Sequence, residues 1–237
     1  MATKENKKAN SGVVENLDSH LTNAGRAVAN NKRIIYIAVG VVAVVAAFVL
    51  SYLFIYRNPR LQNSWEAYNK VLMMQMTQQI NDSVAALEYQ KVSTNFSSTP
   101  AGNVAALASA EAFYNVKNYQ AAAKVLEKLG LSEPILQAQA YALLGDCYVN
   151  IAHANKDDKA GYDKALASYD KAIKTADGNP ELIPAYLVKK ANVYNYLKQY
   201  DKSLACYEEI KNQYPNYSLG TAGVDFYIER EKALAGK

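Results

Sequence analysis

The chain has 237 residues, half of them hydrophobic, with two cysteines and a formal net charge of +4. That charge is uneven: the first 33 residues hold six Lys/Arg against three Asp/Glu, whereas the segment after residue 56 holds twenty against nineteen. A near-neutral main segment lacks the clustered basic face that nucleic acid requires, so nucleic-acid binding is set aside.

Residues 1–33 form a tail. Residues 1–12 show no apolar period and read as disordered. Beyond them Val14, Leu17, Leu21, Ala24 and Val28 recur every three or four positions, which predicts a weakly amphipathic helix of about four turns. Such a helix would lie along the membrane surface or dock on a cytoplasmic partner, a solvated and partly disordered tail being the alternative; its polar face is not rich in Lys/Arg, which argues against strong lipid binding.

Ile34 to Tyr56 is a run without charge or proline. At ~1.5 Å per residue it makes about 34 Å of helix, enough to cross a bilayer core of roughly 30 Å. Its many Val, Ile, Leu and Phe residues favour insertion by about 4 to 8 kcal/mol as an upper bound. The run is too long for a signal peptide, and the exit Tyr56-Arg57-Asn58-Pro59 offers no small-x-small cleavage site, so an uncleaved anchor is expected. Arg26, Lys32 and Arg33 precede the span closely, while Arg57 and Arg60 are the only cations just after it. This excess predicts a cytoplasmic tail and exported remainder. Tyr36, Tyr52 and Tyr56 are placed for the two interfaces. Ala43, Ala47 and Ser51 share a face at four-residue spacing, a candidate contact for another membrane helix.

Residues 57–102 read as a helix pair. Leu61, Trp65, Tyr68, Leu72, Met76 and Ile80 form one apolar stripe, Asn81-Asp82 interrupts it, and Ala85, Tyr89 and Val92 mark a second helix ended by Phe96 to Pro100. Residues 103–216 then repeat one two-helix pattern. The first copy, about 103–137, carries Ala106, Ala110 and Phe113, then Tyr119, Ala122, Leu126 and Leu129, with Pro134 closing it. The second, about 138–180, carries Tyr141, Leu144, Gly145 and Tyr148, then Tyr162, Ala165, Tyr169 and Ala172, with an insertion around residues 154–159. The third runs from Pro184 to Pro215 with Leu187, Ala191 and Tyr194, then Ser203, Tyr207 and Ile210. A helix pair of this size cannot bury its apolar face alone, so copies must stack. The small residues Ala110, Ala122, Gly145, Ala165, Ala191 and Ser203 are expected where helices come closest. Residues 217–237 supply a last helix whose Glu229, Arg230, Glu231 and Lys232 suit a solvated cap. The fold class is therefore all-α.

Leu144-Gly145-Asp146-Cys147-Tyr148 and the prolines Pro134 and Pro215 resemble the tetratricopeptide repeat signature from about residue 103 to 216. The whole architecture, with Tyr89…Phe96…Thr99-Pro100-Ala101-Gly102…Ala105-Ala106-Leu107-Ala108, is similar to the YfgM-like ancillary subunits of the bacterial Sec translocon. The tyrosine-rich later repeats and the insertion depart from that family's pattern. The resemblance implies a single-pass protein of the bacterial inner membrane. Its periplasmic repeats would meet Sec translocon subunits, exported clients or periplasmic chaperones. A scaffold for cell-wall, division or outer-membrane assembly is the alternative, and a cytoplasmic receptor of inverted topology is a third reading.

In such repeats the first helices line a groove. The positions projected here are Val104, Leu107, Glu111, Tyr114 and Asn115; then Gln139, Ala142, Asp146, Val149 and Asn150; then Ala185, Val188, Asn192, Asn195 and Tyr196. The lysine positions of the carboxylate clamp found in some tetratricopeptide domains fall on Leu107, Ala142 and Val188, and only Asn192 of its asparagines is kept. The groove mixes apolar and amide groups, suited to a protein segment with exposed hydrophobics rather than a small-molecule substrate. Cys147 and Cys206 form no CxxC and read as small half-buried residues, with a disulfide open to them in an oxidising compartment. His20 and His153 lie on opposite sides of the span, so no metal site is expected, and HExxH, GxSxG, GxxxxGK[ST] and GxGxxG are absent. Neither an enzyme nor a cofactor is expected. Asp82-Ser83-Val84 fits a loose acceptor triplet that some bacteria use to O-glycosylate exported proteins.

Overall fold

The computed structural model describes residues 32–155 and 158–236; the amphipathic helix predicted at 14–28 and the centre of the insertion lie outside them. Among the described residues the regular structure is all helical, with no strand. The chain divides into two units, one ending at Pro59 and one beginning at Arg60.

The first unit contains helix α1 (Lys32–Ser51), followed by a π-helical turn over Tyr52–Arg57. Not one side chain of α1 is buried, and beyond Lys32 and Arg33 it carries no charge, as a helix long and apolar enough to cross a bilayer requires. Ala43, Ala47 and Ser51 are all exposed along it. The uniform α-helix predicted for 34–56 is thus corrected at its exit. A proline ring clashes with the carbonyl four residues back, which for Pro59 is that of Ile55. Widening to the π turn, where Asn58 N–H donates to Leu53 O, accommodates this without ending the helix. The Tyr52 and Tyr56 rings stack across it at 5.6 Å.

Helix α2 (Asn58–Met76), which belongs to the second unit from Arg60 onward, precedes α3 (Asp82–Asn95), which is capped by Asn81 accepting from Val84 N–H at 3.0 Å. Large side chains bridge the two: Tyr68 lies 5.6 Å from Tyr89, whose hydroxyl donates to Gln75 Oε1 at 3.0 Å. Next come α4 (Pro100–Asn115), the short α5 (Tyr119–Leu126) and α6 (Pro134–Ala154). Then follow α7 (Lys159–Thr175), α8 (Leu182–Tyr196), α9 (Tyr200–Gln213) and α10 (Gly223–Ala235). Every helix from α3 onward packs on its successor, and α4 also touches α6. All six small residues expected at the seams are buried.

Two prolines act differently from the sequence expectation. Pro100 and Pro134 open α4 and α6 instead of closing the preceding helices, because the first helical turn needs no donor from them. The repeat limits placed at 102/103 and 137/138 consequently fall inside helices. Gly102 is demanded by this arrangement: a Cβ there would lie 2.0 Å from the Phe96 carbonyl oxygen. The first helices α2, α4 and α8 end in one shared turn, in which Gln78, Lys117 and Lys198 adopt positive φ. In the last two, the following residues Asn118 and Gln199 donate to Phe113 O and Tyr194 O, both at 2.8 Å.

The cap also differs from expectation. Glu231, grouped with the solvating charges of the last helix, is completely buried. Hydrogen bonds from Asn195 and Arg230 make that burial tolerable.

Candidate functional site

Spacing of three and four residues places Asp146, Val149, Asn150 and His153 on one face of α6, and Lys189, Asn192, Val193 and Tyr196 on one face of α8. These faces, with Tyr114 of α4 and Tyr162 and Tyr169 of α7, enclose an open pocket of about 380 Å³.

Its floor is a polar knot around Asp146. Lys189 Nζ donates to Oδ1 at 2.9 Å and Oδ2 at 2.7 Å, and the Tyr169 hydroxyl donates to Oδ1 at 2.8 Å. Asn150 Nδ2 donates to the Asp146 carbonyl at 2.8 Å and to the Tyr114 hydroxyl at 3.3 Å. Gly145 makes this floor feasible, since a Cβ there would stand 2.5 Å from Tyr169 Cε1. The glycine lets the ring lie against α6, and the next residue receives its hydroxyl. Burial foremost, and then the Asp146 charge, raise the Tyr169, Tyr114 and Tyr186 phenols above their ordinary value. At the rim the Tyr196 ring tilts against Tyr162 at 5.2 Å and meets the His153 ring edge-on at 5.9 Å.

Of the groove positions projected from sequence, Tyr114, Asp146, Val149, Asn150, Asn192 and Tyr196 converge here. Val104 and Val188 are half-buried outside the pocket, and Glu111, Asn115 and Gln139 are exposed outside it. Three assignments are corrected, the first being Ala142, which is 5% exposed and belongs to the core cluster of Tyr186 and Leu187. Leu107 is 6% exposed and packs into the core beside Ala140 and Leu144 of α6, because α4 is flanked by both α5 and α6. Asn195 is engaged by Glu231 of α10 and offers its amide to no groove. Sequence reasoning missed Lys189, His153 and Val193, and took Tyr162 and Tyr169 as packing residues alone. The tyrosine period was a signal for the last two; nothing local links Lys189 to Asp146.

A wider furrow of about 790 Å³ runs between α3, α4 and α5 and includes Asn103, Phe113 and Lys124, but none of the projected groove residues. Cys147 and Cys206 are both free and buried, in separate core clusters. Ser83 is exposed in the first turn of α3. Among the described residues no three His, Cys, Asp or Glu side chains gather where a metal could bind.

Among the described residues the fold is all helical, with one N-terminal helix long and apolar enough to cross a membrane and a second unit of serially packed helices. No family model, curated protein or solved structure matches the chain.

Proposed function

We propose that the chain is a membrane-tethered adaptor of tetratricopeptide type, whose repeats lie in the periplasm and bind proteins. Its role there is accessory to the Sec translocon and to the chaperones that handle newly exported proteins. The observation that carries the protein-binding part is the convergence of α4, α6, α7 and α8 on one pocket lined by aromatic and amide groups. Groups of that kind, held by rigid helices, suit a polypeptide segment better than a reaction. The serial packing and the turn shared by α2, α4 and α8 support repeated units. The excess of cations before the charge-free run that starts at Ile34 supports the exported orientation.

Affinity purification of the whole protein in mild detergent tests the reading. Recovery of Sec subunits with exported clients or chaperones is expected. Their absence, with cell-wall, division or outer-membrane assembly components in their place, would move the assignment to an envelope scaffold. Protease treatment of spheroplasts tests the topology, since repeats on the cytoplasmic side would survive intact.

A further inference from the structure

Hydrogen bonding around the pocket uses its acceptors more fully than its donors. Both Asp146 oxygens accept from Lys189, and Oδ1 also accepts from Tyr169. Asn192 Oδ1 accepts from Tyr207 at 3.4 Å, which leaves its NH₂ group for a ligand. The Tyr114 hydroxyl accepts from Asn150 and keeps its own hydrogen to give. Lys189, with a side chain 40% exposed, retains a further N–H. Against these three donors stands Asn150 Oδ1, since only the amide nitrogen of that residue is engaged, so the pocket favours an entering group that accepts hydrogen bonds.

Charge narrows the choice. Asp146 and Lys189 neutralise each other within the pocket lining, and His153 is its only other titratable nitrogen. An incoming carboxylate would shed water only to meet Asp146 beside Lys189, and an incoming ammonium would meet Lys189 beside Asp146. Neither charge recovers its hydration there. A carbonyl oxygen avoids both penalties.

We propose that the pocket selects an uncharged, extended segment of a partner polypeptide. Backbone carbonyls of that segment accept from Lys189, Asn192 and Tyr114, and an apolar side chain rests against Val149 and the Tyr196 ring. The Asp146–Lys189 pair filters out charged residues. This rests on the protein-binding reading above and adds the chemistry of the segment bound.

Three fluorescein-labelled peptides of equal length test it by fluorescence anisotropy on the full-length protein in detergent. One is a neutral Ser/Leu/Tyr sequence, one carries two central Glu in place of Ser, and one carries two central Lys. The wild type should bind the neutral peptide at least about fivefold more tightly than either charged one. Asp146→Asn keeps an acceptor for Tyr169 but leaves the Lys189 charge uncompensated, so preference should move toward the Glu peptide by about tenfold. Lys189→Met should move it toward the Lys peptide. Opposite shifts from two variants cannot arise from misfolding. Tighter wild-type binding of a charged peptide, or an unchanged order in both variants, would overturn the proposal. If the wild type binds none of the three yet still co-purifies with proteins, the pocket assignment falls and the adaptor reading stands. If co-purification yields no partner while the peptides rank as expected, the adaptor reading falls alone.

Discussion

The side-chain amide of Asn195 on α8 donates to both carboxylate oxygens of Glu231 on α10, each at 2.8 Å. Arg230 completes the arrangement through Nε at 2.9 Å and Nη2 at 2.5 Å, with its guanidinium 4.9 Å from the Tyr227 ring centre. The last helix is thereby locked to a helix two elements earlier, not merely laid over α9. Removing one partner of a buried charged hydrogen bond costs about 1.5 to 3 kcal/mol. Asn195→Ala should destabilise the protein by that amount in urea unfolding. Glu231→Ala should cost at least as much, and the double variant should cost less than the two singles summed. Strict additivity would show that the contact carries no energy.

Gly145 faces the Tyr169 ring, and two effects compete when it is replaced by alanine. Alanine improves helix propensity by about 1 kcal/mol. Overpacking a close seam costs about 1 to 3 kcal/mol, and here the ring cannot yield, being 2% exposed with its hydroxyl held by Asp146. Gly145→Ala should therefore lower the melting temperature by a few degrees. Combining it with Tyr169→Phe, which releases the ring, should recover part of the loss. A raised melting temperature for the single variant would contradict the close approach.

Lys117 and Lys198 hold φ of 63° and 58° at the ends of α4 and α8, a conformation that strains any residue with a Cβ. Lys117→Gly and Lys198→Gly should each stabilise the protein by about 0.5 to 1 kcal/mol, and additively, since the turns belong to different helix pairs. Destabilisation by either would mean that the lysine side chain, not the turn, matters there.

Burial pushes the Cys147 thiol up to about 12 and the Cys206 thiol up to about 11. An acid whose folded value lies above its unfolded value stabilises the fold fully below the unfolded value, about 8.5 for a free thiol. That contribution is lost as pH rises toward the folded value. Burial likewise pushes the Tyr89 and Tyr148 phenols up to about 12, and they act in the same direction from pH ~10 upward. Thermal stability should thus fall progressively above about pH 9, and Cys147→Ala with Cys206→Ala should flatten the first part of that fall. In the folded protein both thiols should resist an aromatic disulfide reagent at about pH 8 and react promptly once urea unfolds it. Rapid labelling of the native protein would refute their burial.

The amino-acid order alone determined those features that depend on neighbours within one or two helical turns. The charge-free run before Arg57 dictated an exposed apolar helix. Recurrence at three and four residues dictated the helix pairs, and Ala110, Ala165 and Ala191 marked the seams, because only small side chains fit where two backbones approach. Proline was ambiguous, since its missing N–H suits both the residue after a helix and the first residue of one. Pro134 became an opener when Glu133 took the N-cap position of α6. What joins residues far apart in the chain was decided by tertiary structure. Lys189 reaches Asp146 across 43 positions, Tyr169 reaches it across 23, and Glu231 enters the interior because Asn195 and Arg230 satisfy it there. Periodicity tells which face of a helix is apolar, but the partner of a charge is set by how neighbouring helices are rotated and displaced. That rotation follows from the fit of all the side chains between them at once.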